Sequence, residues 1–249
     1  MYFCRKNKTI KKKSNMKKII MLISICALFF GCTRDFGTPT TRNYPINGAY
    51  TELDISDAFD VTVSDQVTEV VVTVGELAHD RVIVTVSDGK LRIGFKPNTR
   101  YNGHATAIIP ANANLRDLEL SGASTFTGNL KGNEVEIELS GASTYRGAIE
   151  AVKLDIDLSG ASDAFISGIC QTEMDIEISG ASTLKAADLN ADSVHGELSG
   201  ASDADVTVCS SLNVEVSGAS TLIYGTTSDE CNPAVNCPTS GASTVRPRP

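Results

Sequence analysis

The sequence predicts an all-β protein whose body is a parallel β-helix, a solenoid of roughly 20 residues per coil begun by an irregular N-terminal β cap. Three observations predict it. Ser-Gly-Ala-Ser starts at Ser121, Ser140, Ser159, Ser179, Ser199, Ser217 and Ser240, at spacings of 19, 19, 20, 20, 18 and 23 residues. A repeat near this period marks stacked units that bury a continuous core. The residues before each copy alternate strictly, apolar then acidic, which is strand patterning rather than helix patterning. The composition, with no tryptophan, 6% aromatics and 20 glycines, suits many short strands and turns.

Taken in chain order, residues 1–31 carry eight Lys/Arg, no acids and the apolar run IIMLISICALFFGC. That run is short for a membrane span, and a basic start with a short apolar core describes an export signal. Met16 opens a compact signal of its own. Gly31-Cys32 resembles the lipobox of bacterial lipoproteins, which predicts cleavage before Cys32 and lipidation of its thiol; Ile25 makes Cys26 a poorer candidate. Residues 32–45 are polar with two prolines and read as a tether.

Residues 46–115 read as an N-terminal β region. LDISDAFDVTV is a degenerate copy of the repeat, with Ser56-Asp57-Ala58 where Ser-Gly-Ala would stand. EVVVTVG, RVIVTVSDGKLRIGFK and GHATAIIP then break the period, and SDGK between apolar runs predicts a hairpin. This region is expected to begin or cap the solenoid, because long stacks need polar ends.

Residues 116–245 carry the repeats. One position before each serine stand Leu120, Leu139, Leu158, Ile178, Leu198 and Val216, and three before stand Leu118, Ile137, Ile156, Ile176, Gly196 and Val214. Between them stand Glu119, Glu138, Asp157, Glu177, Glu197 and Glu215. A second apolar column is expected at Leu130, Ile149, Ile169, Leu189 and Val208. Ser-Gly-Ala-Ser is then the corner of each coil, with Gly supplying the backbone freedom of a sharp bend and Ala expected to point inward. The tail, 246–249, is RPRP, which together with GTTSDECNPAVNCPTS would blunt the last coil.

YTELDISDAFDVTVSDQ, VSDGKLRIGFK, LRDLELSGAST and the tandem LSGAS resemble the head GIN domain family of bacterial surface proteins, labelled auto-transporter adhesins, over about Tyr50 to Ser243. The resemblance implies a β-helix-like fold in an exported, often lipid-anchored protein, and no established enzyme activity.

Charge narrows the partners. The chain carries 22 cations and 30 acids; without the eight cations of the signal, 14 remain against 30, or −16. Such a surface repels phosphate backbones, so no nucleic acid partner is expected. The stacked carboxylates at Glu138, Asp157, Glu177 and Glu197 form a candidate Ca²⁺ site, because calcium takes oxygen ligands of loosely fixed geometry; the plain alternative is a solvated face that resists edge pairing. Thr125, Thr144, Asp163, Thr183, Asp203, Thr221 and Thr244 follow the repeats as a hydroxyl ladder, interrupted by charges that an ice-binding face would not tolerate. Phe126, Tyr145 and Phe165 cluster near the corner and are a candidate ligand patch as well as candidate packing residues.

No catalytic residue is assigned. The acids form uniform columns rather than pairs across a cleft, His79, His104 and His195 lack metal-ligand spacing, and no nucleophile or phosphate-loop motif occurs. Cys231 and Cys237, six apart in a terminal loop, are expected to pair in an oxidising compartment. Cys170 and Cys209, read as two coils apart, are expected to be reduced core residues.

The reading is a non-enzymatic envelope lipoprotein at the outer membrane or cell surface. It is held to the membrane by a lipid on Cys32 and acts as an adhesin or scaffold toward an unknown surface glycan or protein. The alternatives are a carbohydrate-active β-helix enzyme or glycan-binding module, and a periplasmic structural protein without an external ligand.

Overall fold

A computed structural model describes residues 36–249 apart from 229. The expected export signal and Cys32 lie outside the described residues. Strand β1 (Pro39–Tyr44) is followed by β2 (Glu52–Ile55), β3 (Phe59–Ser64), β4 (Val70–Gly75), a 3₁₀ helix (Glu76–Arg81), β5 (Val82–Ser87), β6 (Lys90–Phe95) and β7 (Ala105–Pro110). The repeats supply β8 (Asp117–Leu120), β9 (Thr125–Thr127), β10 (Leu130–Leu139), β11 (Thr144–Leu158), β12 (Asp163–Ile178), β13 (Thr183–Leu198) and β14 (Asp203–Val216). The chain ends in β15 (Thr221–Gly225), β16 (Ala234–Val235) and β17 (Thr244–Pro247).

The repeats stack in parallel and in register. Leu139 pairs with Leu158, Leu158 with Ile178, Ile178 with Leu198 and Leu198 with Val216. Each coil runs along a first side before the corner, a second side after it, and a short third side that returns to the next coil. On the first side Leu154, Ile156 and Leu158 are buried while Asp155 and Asp157 face solvent, as the alternation requires.

The corner differs from expectation in one respect. Ala142, Ala161, Ala181 and Ala201 face solvent, and the second serine of each repeat (Ser143, Ser162, Ser182, Ser202) is buried instead. The reason is hydrogen bonding. The Ser162 hydroxyl donates to the Ser159 carbonyl at 2.8 Å, as Ser143 does to Ser140 at 2.8 Å and Ser202 to Ser199 at 2.6 Å. An inward hydroxyl closes the turn on itself, which Ala could not do. The Ala contributes its backbone: Ala161 N–H donates to the Gly141 carbonyl of the preceding coil at 2.8 Å, and Ala181 to Gly160 at 2.7 Å. Gly160 and Gly180 sit at φ +75° and +74°, and a Cβ on either would collide with the glycine carbonyl below it.

The third side brings a second correction. Leu130 pairs with Ile149, Ile149 with Gly168, and Gly168 with Leu189. Gly168, at φ +116°, therefore takes the place expected for Ile169. A one-residue offset reverses the facing of a strand residue, and Ile169 points outward, 51% exposed.

The N-terminal region begins and caps the stack, in an order the chain does not follow. β2 pairs in parallel with both β6 and β8, and β3 with both β7 and β9. The β2–β3 coil, first in sequence, thus lies between the β6–β7 coil and the first repeat. Its corner is the degenerate copy, with Asp57 and Ala58 both at φ 62° and the Asp57 carboxylate accepting from Phe95 N–H at 2.8 Å. β5 and β6 form the expected hairpin through Asp88-Gly89. β4 lies antiparallel on β7 and β1 antiparallel on β4, so part of the presumed tether, Pro39–Tyr44, is a strand of the cap. His79 fastens β1: its ring nitrogens meet the Tyr44 hydroxyl at 2.9 Å and the Thr40 carbonyl at 2.9 Å.

At the other end the cysteines depart from expectation. Cys209 is bonded to Cys231, with Cα atoms 4.6 Å apart, and Cys170 and Cys237 are free. Cys170 shares a column with Ala191 and Val208, so Cys209 falls one residue beyond it and leaves the core. Cys231 sits beside Cys209, whereas the pairing of Val235 with Leu212 sets Cys237 near Val214. Cys231 is taken up by Cys209, which leaves Cys237 free and excludes the expected Cys231–Cys237 bond. The tail blunts the last coil: the Arg248 guanidinium donates to the Asp205 carboxylate, to the Thr207 hydroxyl at 3.0 Å and to the Val206 carbonyl at 3.0 Å.

Candidate interaction surface

The first side presents two columns of outward residues. One runs Asp117, Glu136, Asp155, Asp175, His195 and Asn213; the other runs Glu119, Glu138, Asp157, Glu177, Glu197 and Glu215. Neighbours in a column lie about 4.8 Å apart along the stack. Burial, and after it the adjacent carboxylates, raises the pKa: Glu136 is pushed up by burial and Glu138, and Asp155 by burial and Asp175. The candidate Ca²⁺ residues Glu138, Asp157, Glu177 and Glu197 occupy successive places in one column. Among the described residues no group of three His, Cys, Asp or Glu side chains is placed to hold a metal ion.

Cations that sequence reading passed over sit at the cap end of this ladder. Lys90 and Arg92 stand in register with Glu52 and Asp54. Arg92 Nε meets the Asp54 carboxylate at 2.7 Å, and Lys90 Nζ lies 3.3 Å from Glu119 and 3.6 Å from Glu52. The signal was present: KLRIGF alternates as ELDI does, with bases where the repeats carry acids.

The aromatic patch is corrected. Phe126 and Tyr145 are fully buried neighbours on the second side, with ring centroids 5.9 Å apart and planes 9° from parallel, so they fill the core and touch no ligand. The residue after each repeat points out, and the next points in. Phe165 belongs to the outward column, but the Arg146 guanidinium lies 3.8 Å over its ring. The Thr/Asp ladder is present as read, with Thr144, Asp163, Thr183, Asp203 and Thr221 in register.

On the third side two shallow cavities of about 440 and 530 Å³ share Asn112, Ala113 and Asn129. They exist because β3 leaves for the cap after Ser64, and the segment 111–116, crossing from β7 to β8, stands in for the missing side of that coil. No period in the sequence signals a connection that skips a coil.

The register, the corner and the inserted first coil are features of an architecture that other proteins share. The head GIN domain family, described as "putative auto-transporter adhesin", matches residues 49–227. The chain belongs to this family. The match takes in the degenerate β2–β3 coil, the cap apart from β1 and six of the seven Ser-Gly-Ala-Ser corners, ending before the last. Among solved structures, a protein of Bacteroides fragilis NCTC 9343 named a "putative adhesin" has a TM-score of 0.73 at 17% identity, covering 85% of this chain and 97% of its own. One of Parabacteroides distasonis ATCC 8503, also named a "putative adhesin", has a TM-score of 0.63 at 21% identity over 85% and 98%. A further protein of that strain, named a "putative lipid binding protein", has a TM-score of 0.62 at 18% identity over 86% and 98%. At these identities the likeness is one of fold. A search of curated proteins finds no match.

Proposed function

We propose that this head GIN domain protein is a non-enzymatic adhesin or scaffold of the cell envelope, exported by its N-terminal signal and tethered through a lipid on Cys32. The observation that carries the reading is the register. Carboxylates repeat at strand spacing along the first side from Asp117 to Glu215, which makes a long uniform face rather than a concentrated site. Acid–base chemistry needs unlike groups brought together around one bond; a ladder of like groups serves contact over an extended area. The family's adhesin description supports the same reading. The partner is a surface glycan or protein, and the acidic face disfavours nucleic acid.

Cell fractionation and protease shaving test it. The full chain should partition with membranes and be digested on intact cells, while Cys32→Ala should release it to the soluble fraction. A screen against glycans and matrix proteins should then return a ligand. Protection from protease in whole cells would instead favour a periplasmic structural role, and product release from a polysaccharide would favour an enzyme.

A further inference from the structure

We propose that the groove on the third side binds a single unbranched hydrocarbon chain, as carried by a free fatty acid. Three observations lead there. The first is an apolar side chain in a charged column. Lys131, Glu150 and Ile169 are successive partners on the outer surface, with Lys131 Nζ 2.8 Å from Glu150, and the offset at Gly168 sets Ile169 beside this pair, 51% exposed. Ile169 thus sets an apolar side chain at the rim of the groove, where a ligand can use it.

The second is the lining. Ile169, Gly168, Ala148 and Ala113 face one cavity, and Pro110 and Ala111 continue the wall into the next. Polar groups, the Asn112 and Asn129 amides with Lys131 and Glu150, share the walls with them. Asn129 Oδ1 accepts from Ala148 N–H at 3.0 Å and the Asn112 amide nitrogen donates to the Tyr50 carbonyl at 2.6 Å, which fixes both side chains in the wall. Mostly apolar walls with a few fixed polar groups suit a small apolar molecule.

The third is length. The lining runs from β7 through β3, β9 and β11 to β12, four successive strand pairings. At strand spacing that is about 19 Å, somewhat more than the roughly 15 Å that one leaflet's hydrocarbon occupies. A shallow trough of this length fits an extended acyl chain along the stack. A globular protein partner would need a far larger patch.

Titration of the purified full chain with monomeric fatty acids, read by calorimetry, tests the proposal. Hexadecanoate should bind saturably at one site. Affinity should rise severalfold for each two methylenes from octanoate upward, then level once the groove is filled. Ile169→Asp, at an exposed position where folding is spared, should weaken hexadecanoate at least tenfold with an unchanged melting temperature. Ile108→Asp, which alters a half-exposed hydrophobe on the second side, should leave it unchanged. Affinity independent of chain length, equal binding by Ile169→Asp, or binding only to phospholipid vesicles and not to the monomeric acid would overturn the proposal.

Discussion

Gly180 shows how one residue serves the stack. Its φ of +74° is a region that side chains resist, and a Cβ there would meet the Gly160 carbonyl of the coil below. Gly180→Ala should therefore cost at least the 1–3 kcal/mol of a strained backbone (about the usual range) and lower the denaturation midpoint. Gly89→Ala supplies the comparison, because Gly89 has φ +82° with nothing within 4 Å. It should cost less, and equal losses would mean that the close stacking of corners contributes nothing. Tyr145 is the opposite case. Its hydroxyl is buried, its ionisation is suppressed by that burial, and it has no hydrogen-bond partner among the described residues. Tyr145→Phe keeps the stack on Phe126 and removes an unmet polar group, so it should stabilise by about 1 kcal/mol. A lower melting temperature would show that the hydroxyl has a partner. The repeats made the glycine legible in sequence; the orphan hydroxyl was not, because alternation says which way a side chain points and not what lies at its tip.

At the scale of elements, the terminal loop is held by a covalent clip. Cys209 lies on β14 and Cys231 in the excursion between β15 and β16, 22 residues apart in sequence. Replacing both with serine should cost about 3 kcal/mol on the loop-entropy account. Mass mapping of the non-reduced protein should find Cys209 joined to Cys231, with Cys170 and Cys237 alkylated only after unfolding or slowly. A Cys231–Cys237 peptide would contradict the register of β14 and β16. Spacing alone favoured that wrong pair. The right one depends on a one-residue difference between Cys170 and Cys209 relative to the column of Ala191 and Val208, and two bulges intervene before it can be counted. Ile169 was misplaced differently: β11 and β12 pair without a break from Thr144–Asp163 to Ala151–Cys170, so a plain count puts Gly168 opposite Ile149 although the apolar letter is Ile169. Long, unbroken alternation is readable from sequence, whereas a strand interrupted by a bulge loses its facing at the bulge.

For the molecule as a whole, the stacked carboxylates set how stability responds to solution conditions. Asp117, Glu136 and Asp155 are raised above their ordinary values, in each case first by burial. An acid whose folded value exceeds its unfolded one stabilises the fold most when protonated; that contribution is complete below about pH 4 and is lost as pH rises through the folded value. Solvent screens these partly exposed groups, so the effect is modest. The melting temperature at pH 5 should equal or exceed that at pH 7, sodium chloride should raise it at pH 7, and Glu177→Gln should be neutral or slightly stabilising. A melting temperature that drops from pH 7 to 5 and ignores salt would show that the ladder is not repulsive. By itself the sequence determined the coil, its corner and the charge of its first side, because each follows from a local period repeated often enough to be counted. Only the tertiary structure decided where the first coil is inserted, which cysteines meet and where the third side opens. Those depend on which strands become neighbours after the chain has doubled back, and no local pattern encodes that.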